Sequence, residues 1–440
     1  MSKKTKPDTI IMTSSSKIVL RIDEKPKFHQ WILLSIQHLF AMFGATVLVP
    51  ALTGMSPAVA LVSSGLGTLA FIAITRGKVP SYLGSSFAFI NPLIAVKAFD
   101  GFAGIMVGSF MVGIIYAIVA LIIAKTGIKW LMKLLPPIVV GPVIMVIGLG
   151  LSTVAVGMVT NHGGGYDIDY VLVGLVTLVI TIIFAIYTKG FLSVVPVLMG
   201  IIGGYIFAVF MGIVDFQRVI DANWFEVPPF EIPFINFTPH FTWKVFLLMV
   251  PVVIVPIAEH IGHQLVLSKV VGKDLLEDPG LHKSLFGDSV ASIIASCIGG
   301  PPVTTYGENI GVLAITKAFS IYLFIGAACF AILFGFCGKV SALLSTIPTP
   351  VMGGVSILLF GIIASSGLRM LVENKIDFSQ KRNLIIASVI LVIGIGGAAL
   401  HIGSHFSLEG MALASIIGVV LNQILPGKQV VDFKDMFGGE

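Results

Sequence analysis

An all-α, polytopic membrane protein is the fold class these residues predict, and three observations predict it. Hydrophobic residues make up 56% of the 440 and charged residues only 11%, where a soluble chain carries roughly 25% charged. The apolar runs are about 17–25 residues long, the length a helix needs to cross a bilayer. The positive charges also sort by side. With the N-terminus inside, only Lys97, Arg218, Lys244 and Lys339 of the 27 Lys and Arg fall outside, which obeys the positive-inside rule. A cytoplasmic-membrane protein with both termini inside follows. The net charge of +5 then reflects topology, not affinity for nucleic acid. Cys297, Cys329 and Cys337 lie in apolar runs and read as small buried side chains.

Residues 1–29 are polar and basic, read as a disordered cytoplasmic tail, and show no cleavable signal peptide. Apolar segments follow at roughly 30–50, 57–75, 86–98, 102–124, 137–158, 169–188 and 191–214. An acidic, Pro-rich connection over 215–242 is external. A second set lies at roughly 243–268, 282–299, 303–316, 318–338, 350–367, 382–401 and 408–425, before a short tail at 426–440. That makes about fourteen, and the third and tenth are too short and polar to be plain spans.

The two sets repeat one another. Pro137-Ile-Val-Val-Gly141 with Gly148 matches Pro350-Val-Met-Gly-Gly354 with Gly361, an offset of 213. Gln37-His38 matches Glu259-His260, an offset of 222. Gly84-Ser-Ser-Phe-Ala-Phe-Ile-Asn-Pro92 in the third segment corresponds to the opening of the tenth. Seven is odd, so the halves are inverted relative to each other. Paired, interrupted segments at corresponding places point to a binding site at the membrane midplane.

The tenth segment is the most informative stretch. In SCIGGPPVTTYGENIGVLAITK, Ser296 to Lys317, Gly299, Gly300, Pro301 and Pro302 oppose a regular helix. Val303, Thr304, Thr305 and Tyr306 favour an extended run, and a half-helix starts near Gly307 to Asn309. Broken backbone at this depth is tolerated only where it is buried in protein or lines a cavity.

Charge inside a span is costly and usually functional. Glu259 sits mid-span, with His263 at i+4 on the same helical face. Its plainer role is a structural carboxylate bonded to His263. His260 points about 100° away and reads as a packed histidine bonding a neighbouring carbonyl. Glu308 opens the half-helix, where a carboxylate also complements the helix dipole. Asp288, near the cytoplasmic end of the ninth segment, reads as interfacial and solvated. Thr304 and Thr305 satisfy freed backbone groups, and Phe87 lies at the break in the third segment, where a ring can stack on a ligand. Glu259-His-Ile-Gly-His263 is not the His-Glu-x-x-His zinc pattern, so no metal is expected. No cofactor is implied either: there is no Walker A loop, nor a nucleophile elbow to suggest an enzyme.

Glu308-Asn-Ile-Gly311-Val-Leu-Ala-Ile-Thr316-Lys317 matches [Q/E/P]-N-x-G-x4-T-[R/K/G], the signature of the nucleobase–ascorbate transporter family. Gln37-His38-Leu-Phe-Ala-Met-Phe-Gly44-Ala-Thr-Val-Leu-Val-Pro50, Gly84-Ser-Ser-Phe87 and Ala258-Glu-His-Ile-Gly-His263 resemble that family too, its bacterial uracil permeases in particular. The resemblance covers nearly the whole chain. It implies a proton symporter of fourteen segments in two inverted repeats, with short strands in segments 3 and 10. It implies a core domain over 30–124 and 243–338, a gate domain over 125–214 and 339–425, and a homodimer joined through the gates in the lipid bilayer. Uracil would be held by the side chains of Glu259 and Glu308 and by backbone around Phe87 and Gly307, with Tyr306 nearby. His263 would join Glu259 in coupling to protons. Phe360 stands where relatives can carry Tyr, so a hydrogen bond from that hydroxyl is lost.

The chemistry suits uracil, which offers two N–H donors and two carbonyls on a flat ring. An ionised carboxylate only accepts, so Glu259 and Glu308 can each take an N–H or a proton. A purine or xanthine permease of the same family is the alternative. An anion transporter of related architecture fits less well, because two carboxylates repel its substrate. An intramembrane metalloenzyme is the remaining rival.

Overall fold

The computed structural model describes residues 18–402 and 406–427. Helices dominate, and among the described residues seven are long and apolar enough to cross a membrane. The chain is an integral, multi-pass membrane protein. Phe28–Thr53 leads through Gly54, in the left-handed region at φ 66°, to Pro57–Ile74. Glycine takes that conformation at no steric cost. Ser56 caps the second helix by accepting from the Val59 N–H, with Pro57 in its first turn, where a missing N–H is harmless.

The expected third and fourth segments run as one helix, Ile90–Thr126, interrupted only at Gly101 (φ 62°, ψ −154°). The fifth is split into Pro137–Gly150 and Ser152–Thr160. The eighth comprises Trp243–Met249, a tight turn at Pro251–Val253 and Ile254–Val271. Pro251 has no N–H for a regular ladder. Ile168–Tyr187, Pro196–Phe210, Leu281–Ile298, Ile321–Gly335, Thr349–Glu373, Lys381–Ile395 and Gly410–Ile424 complete the long helices. Two hairpins that hydropathy does not foreshadow, Asn161–His162 with Gly165–Tyr166 and Ala399–Ile402 with Phe406–Glu409, join neighbouring helices.

Two short strands lie in the interior. Leu83–Ser85 pairs antiparallel with Val303–Thr305, Leu83 opposite Thr305. A two-stranded ladder leaves half its backbone groups unpaired, and side chains take them up. The Leu83 N–H donates to Thr68 Oγ1 at 2.9 Å. Ser292 Oγ lies 3.2 Å from the Val303 N–H and 3.1 Å from its carbonyl. Irregular backbone at this depth is thereby satisfied without water.

Helix packing falls into two groups. Leu281–Ile298 lies against Ile90–Thr126 and Pro57–Ile74, and Ile321–Gly335 against Pro57–Ile74 and Phe28–Thr53. Thr349–Glu373 instead packs on Pro137–Gly150, Ser152–Thr160 and Ile168–Tyr187. Glycines set these close contacts: Gly148 abuts the Phe360 carbonyl, and Gly367 abuts that of Gly141.

Two sequence expectations are corrected here. The three cysteines are not buried: Cys329 is exposed, and Cys297 and Cys337 are half-buried. Residues 18–29 are not a free tail, while 1–17 and 428–440 lie outside the described residues. Leu20 bridges to Ala318, and Phe319 and Ile321 donate to the Leu20 and Ile22 carbonyls at 2.8 Å each. Ser320 Oγ donates to the Glu24 carbonyl at 2.6 Å. Leu20 and Ile22 are buried, so alternating apolar residues in a basic stretch make a strap rather than a solvated tail.

Candidate functional site

The site is assembled where the two interrupted stretches meet Ile254–Val271. The strand Val303–Thr305 ends at Tyr306, and Gly307–Thr316 starts a helix with Glu308 in its first turn. The helix N-terminus favours a carboxylate there. One helical turn separates Glu259 from His263, so both face the same way. Glu259, Glu308, His263 and Gly307 are all half-buried. No side-chain donor engages the Glu259 carboxylate among the described residues.

His263 does not bond Glu259. Its Nδ1 lies 3.3 Å from Thr305 Oγ1, and its Nε2 would be 3.0 Å from a Cβ placed on Gly307. A larger residue at 307 would push the imidazole away from the strand. The His263 imidazole, one turn from Glu259, thus packs against the start of the half-helix that carries Glu308.

Phe87 opens the turn Phe87–Phe89 between strand Leu83–Ser85 and helix Ile90–Thr126. It is half-buried and lines a cavity of about 220 Å³. Tyr306 is placed differently. It is only 3% exposed, its hydroxyl donates to the Ser85 carbonyl at 2.9 Å, and its ring fills the space above Gly84. Tyr306 therefore binds the two broken segments together in the wall of the site. Phe360 is buried in the contact with Gly148.

Asp288 and His260 were misread. Asp288 is fully buried rather than interfacial, and its Oδ2 lies 2.8 Å from His260 Nδ1. His260 Nε2 lies 2.9 Å from Ser284 Oγ, not from a carbonyl. Thr305 Oγ1 stands 3.3 Å from His260 Nδ1 as well as 3.3 Å from His263. A continuous polar line runs Asp288, His260, Thr305, His263, ending beside the carboxylates. A sequence signal existed: Ser284, Asp288, Ser292 and Ser296 recur every four residues, a polar stripe on one helical face, and all four are buried. The corresponding histidine of the first repeat, His38, is also buried, and Asn309 Nδ2 donates to its carbonyl at 3.0 Å. Asn309 thus anchors the half-helix to Phe28–Thr53.

Comparison with known proteins identifies the family. Residues 29–403 match the model of a family described as a permease family. The chain is 60% identical over 414 residues to a uracil permease of Bacillus caldolyticus, covering 94% of this chain and 96% of that one. It is 59% identical over 419 residues to a uracil permease of Bacillus subtilis strain 168, with coverage of 94% and 96%. Among solved structures, the transmembrane domain of a cyanobacterium bicarbonate transporter BicA superposes with a TM-score of 0.64 at 14% identity. It covers 90% of this chain and 98% of its own, a likeness of fold alone.

Proposed function

The chain belongs to that permease family, the nucleobase transporters whose signature it carries, and is a permease rather than an enzyme; from this premise we propose that it takes up uracil together with protons across the cytoplasmic membrane. One observation carries the proposal: two half-buried carboxylates, Glu259 one helical turn from His263, and Glu308 next to Gly307, against which that imidazole packs where the interrupted segment resumes its helix. Such a pair accepts the two N–H groups of uracil. Backbone N–H groups at the start of Gly307–Thr316 and at the turn after Leu83–Ser85 answer the carbonyls. Phe87 covers the ring. An analogue lacking a partner leaves a buried polar group unpaired, which gives the discrimination.

Glu259 takes either a proton or a substrate N–H, and His263, tied to Thr305, sets how it exchanges. Asp288 and His260 hold Thr305 in place. Fourteen segments in two inverted repeats divide into a core (segments 1–4 and 8–11) and a gate (segments 5–7 and 12–14). The two packing groups of helices support that division. The core carries the site past the gate in alternating access, with both termini cytoplasmic and two gates joined in a homodimer.

Uracil accumulation in proteoliposomes under an imposed pH gradient tests the reading. Glu259→Gln should abolish pH-driven accumulation while retaining uracil exchange. Unchanged accumulation in that variant removes Glu259 from the coupling step.

A further inference from the structure

The cavity of about 220 Å³ is larger than Phe87 alone requires. Phe87, Asn91 and Ala95, on successive turns, form one wall; Val146, Gly150 and Met411 face them. It lies between the two packing groups of helices, on the side of the external loop. Helix Ile90–Thr126 runs from Asn91 to Asp100, and Asp100 Oδ1 lies 2.8 Å from His240 Nε2 of that loop.

Asn91 is the one polar side chain in its lining, beside the backbone of Gly150, Gly394, Gly397 and Gly410. Asn91 is exposed, yet its amide reaches across the gap: a Cβ on Gly150 would sit 3.8 Å from Asn91 Nδ2. No hydrogen bond engages this amide among the described residues. A carboxamide offers one acceptor and two donors in a plane, and it pairs in a bidentate way with a ring that shows a donor beside an acceptor. Pockets for drug-sized ligands span about 300–1,000 Å³, so this one suits a single small ring. No charged side chain lines it, so a charged ring would go unpaired.

We propose that the cavity is an outer waiting site for a planar lactam, a ring carrying N–H next to C=O, which pairs with Asn91 before passing Phe87 to the two carboxylates. This rests on the uracil reading above, but the contact is separate from it. The waiting site needs neither Glu259 nor Glu308. It requires an unsubstituted N–H beside the carbonyl.

A reporter cysteine tests this. Cys297, Cys329 and Cys337 are replaced by Ser, Ala95→Cys is introduced in the cavity wall, and Glu308→Ala disables the central site. Alkylation by a membrane-impermeant maleimide is timed from outside with and without saturating uracil. Uracil should slow it severalfold by occupying the cavity. 1,3-Dimethyluracil should not slow it, and adding Asn91→Leu should remove the protection. Met411→Cys, on the opposite wall, repeats the measurement should the first reporter fold poorly. No protection by uracil at either reporter, or equal protection in Asn91→Leu, overturns the waiting site. The Asn91→Leu arm keeps the two readings apart: should Glu308 prove not to hold uracil, protection that vanishes in Asn91→Leu still marks the waiting site, and protection that survives it does not.

Discussion

Segments 3 and 10 meet in one two-stranded ladder, and segments 5 and 12 pack helix against helix, yet the two pairs use glycine in opposite ways. In segments 3 and 10, Gly84 and Gly307 make room for side chains, Tyr306 above one and His263 beside the other. The backbone there is interrupted, and polar groups gather to satisfy it. In segments 5 and 12, Gly148 and Gly367 make room for backbone, and each meets a carbonyl of the opposite helix. Those helices approach as small-residue membrane contacts do and carry no charge at the contact. Chemistry is concentrated where the chain breaks, and rigidity where glycine lets helices close.

The largest effect should come from filling the continuous pair. Gly148→Leu would drive a side chain into the Phe360 carbonyl. Overpacking against backbone exceeds the usual cost of about 1–3 kcal/mol, so detergent-stable protein should be lost in size-exclusion chromatography. Gly157→Ala, whose Cβ would meet only Asn161 Nδ2 at 3.8 Å, is the control and should be neutral or gain up to about 1 kcal/mol. Equal behaviour of the two variants would break the contrast.

In the interrupted pair, His260→Phe removes the partner of buried Asp288. Leaving one member of a buried pair alone costs about 3–5 kcal/mol, read as a lowered Tm. Thr305→Val should leave a folded protein whose proton-driven uptake is slowed more than its uracil exchange. A smaller effect is expected at the strap. Leu20→Ala should cost about 2 kcal/mol, the low end for a buried leucine, and raise proteolysis near the Lys317 turn. The smallest lies at the outer clasp, where His240 meets Asp100 at 2.8 Å. Donating to the Asp100 carboxylate raises the His240 pKa above its ordinary value. Its contribution to stability is therefore full below the unfolded-state value near pH 6.5 and is lost as pH rises through the raised folded value. His240→Gln should flatten that pH dependence of Tm and change it little otherwise.

Much of this was legible in the chain. The Gly-Gly-Pro-Pro run announced a break, and the β-branched run after it an extended piece; Val303–Thr305 is a strand and Gly307 starts a helix. Glu259 and Glu308 stood out because isolated carboxylates in apolar runs have few innocent explanations. Asp288 did not, because it lies close to a basic, wet connection and its partner is on another helix. Hydropathy reads a residue's neighbours along the chain, whereas this pair is made across two helices. The strap escaped for a similar reason: Leu20 and Ile22 gain their burial from residues about 300 positions away. Tyr306 shows the remaining limit, since a motif places a residue near a site without showing where its hydroxyl goes.

Uracil binding to purified protein, measured by calorimetry for the parent chain and Glu308→Ala at matched Tm, tests the carboxylate pair most directly. Loss of a charge-assisted contact in a closed site, about 1.5–3 kcal/mol, predicts a Kd raised by roughly tenfold to a hundredfold or more. A Glu308→Ala protein that binds uracil within about twofold of the parent would contradict the account.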